Sequence, residues 1–160
     1  MRTYAGTSET STNQTGDNFD LMIACFKAIS TMIRDCEFFE LDNEHLEILL
    51  HYVERNLHDS NRQASAFNLL KAIFSRKLEC AEINDVVSKV MKLSIQSEST
   101  NVRLQSRQTV LQFMLDYSLG TKKLEKYIEF YIVQLNYEYE DGRESALEMM
   151  ATMFQSFPLV

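Results

Sequence analysis

The sequence predicts an all-α fold, an α-solenoid of HEAT/armadillo-like helical hairpins with about three pairs behind a leading helix. Three observations predict it. Apolar residues recur at three- and four-residue steps along most of the chain, and no segment of useful length alternates with period two. Glycine and proline are scarce, four and one in 160 residues, leaving few of the residues that shape hairpins, Gly-rich loops or sharp active-site turns. The helical pattern also repeats itself at a spacing of about 40 residues, which is the HEAT/armadillo period.

In chain order, residues 1–18 come first, dominated by Ser, Thr, Asn, Gln and Gly with Tyr4 the only large aromatic. A segment so poor in apolar residues cannot offset its own ordering entropy, so disorder is expected there. The folded part is expected to span 19–160. Asp17 or Asn18 can cap a first helix that carries Leu21, Met22, Cys25, Phe26, Ile29 and Ile33. Asp42 or Asn43 opens a second, with Leu46, Leu49, Leu50, Val53 and Leu57 on one face. Asp59 or Ser60 caps a third, bearing Ala66, Leu69, Leu70 and Ile73. Further helical patterns cover 82–96, 100–118, 121–136 and 142–157, and Gly120 stands where a left-handed residue would end a helix.

The repeat is visible residue by residue. Arg62 is followed at three, seven and eleven residues by Ser65, Leu69 and Ile73. Arg103 has Ser106, Val110 and Met114 at the same offsets, and Arg143 has Ala146, Met150 and Phe154. The arginines lie 41 and 40 residues apart. The preceding helices keep register as well, through Leu46, Leu49 and Leu50, then Val87, Val90 and Met91, then Tyr127, Phe130 and Tyr131. These hairpins occupy about 42–78, 82–118 and 121–157. Neither helix of such a pair can bury its apolar face alone, and stacking pair upon pair makes one continuous core. The small residue after each arginine lets helices approach closely. Asp59 and Asp141 stand in the turns, where they are expected to cap helices or brace neighbouring repeats. Met91, Met114, Met149, Met150 and Met153, with Phe113, Phe130 and Phe154, fall where the repeat predicts core rather than a Met-rich groove for a partner helix. Terminal repeats normally carry polar outer faces, and the last helix is instead rich in Met and Phe. The chain is therefore expected to be a piece of a much longer solenoid.

No catalytic, cofactor-binding or metal site is expected. His45, His51 and His58 are the only histidines, and none completes a metal spacing such as H-E-x-x-H. No G-x-S-x-G, P-loop or G-x-G-x-x-G occurs, and nothing pairs Cys36 or Cys80 with a histidine for nucleophilic catalysis. Cys25, Cys36 and Cys80 suit reduced, mostly buried thiols. Glu138-Tyr139-Glu140-Asp141 reads as a solvated turn, and Lys122, Lys123 and Lys126 as a solvated face. The formal charge of −7 and pI of about 5.0 lack the basic footprint of a stand-alone nucleic-acid binder. No apolar run is long enough for a bilayer and no apolar leader opens the chain, so the expected compartment is cytoplasm or nucleus, with Asn13-Gln14-Thr15 left unglycosylated.

Beyond its period, the wording of the sequence is itself informative. Ser106 to Pro158, SRQTVLQFMLDYSLGTKKLEKYIEFYIVQLNYEYEDGRESALEMMATMFQSFP, and His58 to Leu78, HDSNRQASAFNLLKAIFSRKL, resemble the small-subunit processome component 20 (down-regulated in metastasis) family of very large nucleolar HEAT-repeat proteins. The resemblance covers roughly residues 40–158, and LDYSLG, QLNYEYEDGRES and LEMMATMF are its most specific pieces. Ser118 stands where the family pattern often has proline. The resemblance implies a scaffold of the small-subunit processome, located in the nucleolus and needed for 18S rRNA. Its implied partners are other processome proteins, the box C/D small nucleolar ribonucleoprotein and pre-rRNA. A karyopherin-like adaptor for basic cargo, or a regulatory subunit that docks an enzyme, is the alternative that an acidic helical-repeat chain leaves open.

Overall fold

The computed structural model describes residues 13–157, which form seven α-helices and no strand. They are α1 (Asn13–Asp35), α2 (Asn43–Asn56), α3 (Gln63–Ser75), α4 (Ile83–Gln96), α5 (Thr100–Asp116), α6 (Thr121–Gln134) and α7 (Glu140–Ser156). Helices α2/α3, α4/α5 and α6/α7 pair as hairpins. The hairpins stack through α2 on α4, α3 on α5, α5 on α7 and α4 on α7, while α1 packs along α3. One core runs unbroken from Ile33 to Met153, as a solenoid requires.

The local sequence explains most boundaries. Asp42 is extended at the N-cap of α2 and accepts the His45 amide at 2.8 Å. Ser99 does the same for α5 through the Val102 amide. Three expectations need correction. Helix α1 starts at Asn13 instead of after Asp17 or Asn18, so the end of the segment expected to be disordered is helical. Once the Phe19–Ile33 face is docked, each added residue gains a hydrogen bond without a new nucleus. Residues 1–12 lie outside the described residues. Asp59 does not cap α3, whose N-cap Arg62 makes no side-chain cap bond. Asp59 braces the preceding turn, accepting the Asn61 amide at 3.0 Å. Gly120 has the positive φ (69°) that favours glycine, but it leads into α6, and α5 ends earlier at Tyr117.

Two burial expectations also fail. Cys25 and Cys36 are exposed and Cys80 is half-buried: Cys25 lies on α1, which packs mainly along α3, Cys36 just past the end of α1, and Cys80 in the turn before α4. Phe154 is 73% exposed, although Ile73 and Met114 at the same repeat position are 0% and 4% exposed. The first two hairpins have a successor, and α6/α7 has none among the described residues.

Gly142 reports how closely α7 approaches its neighbours. A Cβ there would press on the Tyr137 ring and lie 3.0 Å from the Ile95 carbonyl oxygen. Gly142→Ala gains about 1 kcal/mol of helix propensity but loses more to overpacking, typically about 1–3 kcal/mol. Net destabilisation of about 1 kcal/mol is expected, read as a lower urea midpoint with unchanged slope.

Candidate functional site

Several of the charged and polar groups that the fold draws inward, Arg103, Arg107, Ser94 and Ser145 among them, lie where one hairpin meets the next. In the second hairpin Arg103 is 4% exposed and its Nη1 donates to the carbonyls of Ser97 (2.8 Å) and Glu98 (3.2 Å). In the third, Arg143 Nη1 donates to Tyr137 and Glu138, both at 2.9 Å, six and five residues upstream as before. The first hairpin departs from this pattern. Arg62 Nη1 reaches the Asn56 side-chain oxygen at 3.4 Å, Nε lies 3.6 Å from Asp59, and the guanidinium sits over the Phe19 ring. The repeated arginine thus ties the turn within its own hairpin. A second link joins hairpins, since Arg103 Nη2 pairs with Asp141 of the next repeat at 3.1 Å.

The other repeat positions sort by depth. Leu69, Ile73, Val110, Met114 and Ala146 are buried, and Met150 is half-buried. The hydroxyls of Ser65 and Ser106 are enclosed without a hydrogen-bond partner, so small size is what these sites use. Phe154 alone points away from the core.

Several junction residues lie outside the repeat positions singled out in the sequence. Arg107 donates to Ser145 and pairs with Glu148 of α7. Ser145 donates to the Ser94 carbonyl at 2.5 Å, and Ser94 Oγ lies 3.0 Å from the Tyr131 hydroxyl. Burial pushes the Tyr131 hydroxyl above the ordinary phenol range, which keeps it a neutral donor. Tyr117 donates to the Leu78 carbonyl at 2.6 Å; burial first, then Glu79 and Asp116, raise its pKa. Arg76 gathers the carbonyls of Ile33, Cys36, Glu37 and Phe39 at 2.9–3.5 Å and so closes the C-terminal end of α1.

Among the described residues no three His, Cys, Asp or Glu side chains come together as a metal site, and no helix is long and apolar enough to cross a membrane. Burial raises the Cys80 pKa, opposite to what an activated nucleophile needs. The inward polar groups that have partners hold helices and turns to one another.

No protein-family model matches the chain. Two curated relatives do. U3 small nucleolar RNA-associated protein 20 of Schizosaccharomyces pombe is 26% identical over 145 residues, 91% of this chain. Its counterpart in Saccharomyces cerevisiae is 31% identical over 124 residues, or 78% of the chain. The chain resembles U3 small nucleolar RNA-associated protein 20. The resemblance read from His58–Leu78 and Ser106–Pro158 is thereby borne out. The chain spans only 6% and 5% of the length of these two relatives.

Proposed function

We propose that the chain is a non-catalytic scaffold module of the small-subunit processome, acting in pre-rRNA processing for 18S rRNA. The observation that carries this reading is the similarity to U3 small nucleolar RNA-associated protein 20 of two yeasts, extending over 91% and 78% of the chain. The junction chemistry supports a scaffold, because Arg103, Arg107, Ser145 and Tyr131 use buried polar groups to join one helix to another. The net charge of −7 suits a subunit held mainly by protein neighbours. In this reading the partners are other processome proteins and the box C/D small nucleolar ribonucleoprotein with its pre-rRNA, and the location is the nucleolus.

Depletion of the gene product followed by quantification of precursor and mature rRNAs tests it. The expected result is selective loss of 18S rRNA with the large-subunit rRNAs spared. Unchanged rRNA processing, with capture of peptides rich in Lys and Arg, would replace the scaffold by a karyopherin-like adaptor.

A further inference from the structure

The seams between the second helices of successive hairpins are filled differently. Five residues after the repeat arginine, α3 places Phe67 against α5. Twelve residues after it stands Phe74, whose ring centre lies 5.0 Å from that of Phe113. These two phenylalanines are 2% and 1% exposed. The same positions on α5 hold Gln108, which is exposed, and Leu115, which is 46% exposed. With no aromatic to fill it, the seam between α5 and α7 opens as a cleft of about 390 Å³. Its walls include Leu104, Gln108 and Leu111 on one side and Glu148, Ala151 and Thr152 on the other. Helix α5 has α3 on one flank and α7 on the other, so its leucines are not open for want of a neighbouring hairpin. The same helix buries Arg103 and Arg107 while Leu104 stays 40% exposed. Arginines turned inward and leucines turned outward leave apolar surface for a partner to cover.

The two walls of the cleft differ in character. Leu104, Leu111 and Leu115 follow one another at seven and four residues, forming one apolar stripe about 16 Å long on α5. On α7, Glu144 and Glu148 stand one helical turn apart, and the helix carries four carboxylates against one arginine. Arg107 pairs with Glu148, whereas Glu144 has no ion-pair partner among the described residues. We propose that this cleft is the docking site for an amphipathic helix of a partner protein. The apolar stripe of that helix packs on Leu104, Leu111 and Leu115, and its flanking lysines or arginines face Glu144 and Glu148. Recognition of a helix in a groove uses both features, apolar anchors at helical spacing for affinity and complementary charge for orientation. A nucleic acid is the poorer match, because its phosphates would meet the α7 carboxylates.

The filled seam between α3 and α5 supplies the test variant. Gln108→Phe puts into the cleft the residue type that closes the other seam, leaving neither a cavity nor a buried charge. The probe is a fluorescein-labelled peptide of about fourteen residues, leucine and lysine in helical periodicity, long enough to span the stripe. A leucine–glutamate peptide of the same pattern is the charge control. Fluorescence anisotropy with the 160-residue chain is expected to show saturable binding of the lysine peptide and none of the glutamate peptide. Gln108→Phe is expected to weaken that binding about tenfold or more with the thermal melt unchanged, and Glu144→Lys to weaken it several-fold. Should Gln108→Phe lower the melt, Leu104→Ser at an exposed site gives the same reading, again as a several-fold loss. No binding of the lysine peptide overturns the proposal. Binding that survives both cleft variants also overturns it, by placing the peptide elsewhere on an acidic surface. Equal binding of the glutamate peptide removes the charge match and the stated partner with it. Displacement of the peptide by an oligouridylate gives the cleft to RNA instead, and a dimer in gel filtration that Gln108→Phe returns to monomer gives it to a second copy; either result overturns the proposal.

Discussion

Leu69→Asp is expected to abolish the cooperative thermal transition of the chain. Leu69 is 0% exposed, on the face of α3 that enters the common core. Loss of a buried leucine costs about 2–5 kcal/mol. The new carboxylate would have no paired cation there and adds several kcal/mol of its own, either as buried charge or as a raised pKa. Against a total stability of about 5–15 kcal/mol for an ordinary domain, the sum is decisive. The matched control is Phe154→Asp, at a repeat position that is buried in the first two hairpins but 73% exposed here. That change is expected to move stability by only about 0.5 kcal/mol. Circular dichroism melts of both variants check the pair. An unchanged melt for Leu69→Asp, or a collapsed one for Phe154→Asp, would mean that the repeat register or its end is misplaced.

The contrast between those two positions also shows where sequence reading succeeds. Leu46, Leu50, Leu69, Val87, Val90, Val110 and Tyr131 were legible as core because helix periodicity is local, and a second period of about 40 residues aligned the helices with one another. The turn-binding role of Arg103 and Arg143 was half legible. Their recurrence marked them, while their partners are backbone carbonyls that no side-chain pattern records. The Tyr131–Ser94–Ser145–Arg107 chain was not legible. Its members come from four helices, and each alone reads as an ordinary polar residue or a core aromatic. A charged residue such as Arg107 at a position held by Ala66 in the previous hairpin was the available signal. Phe154 and the exposed Cys25 share one cause. Periodicity says which side of a helix is apolar, whereas burial also depends on whether a neighbouring helix arrives.

Arg103→Met is expected to be the second most damaging change, costing about 2–4 kcal/mol on the scale of charge-assisted hydrogen bonds. Methionine keeps most of the apolar stem, so packing of α5 is largely retained. The loss falls on the bonds to Ser97, Glu98 and the Thr100 hydroxyl, and on the pair with Asp141. These components differ in weight. The Asp141 side chain is 66% exposed, so its ion pair alone is worth about 0.2–1 kcal/mol. Asp141→Asn should therefore cost that little, and only at low salt. The carbonyl bonds carry the remainder, because the turn between α4 and α5 has no other side chain of comparable reach holding it. Arg103→Lys is expected to recover less than half, since a single ammonium cannot bind two carbonyls and a carboxylate in the planar fork that a guanidinium offers. Urea unfolding of the three variants separates these terms. If Asp141→Asn costs as much as Arg103→Met, the link between hairpins holds the junction; if it costs far less, as expected, the arginine acts first within its own hairpin, and stacking of one repeat on the next follows from a turn already made rigid.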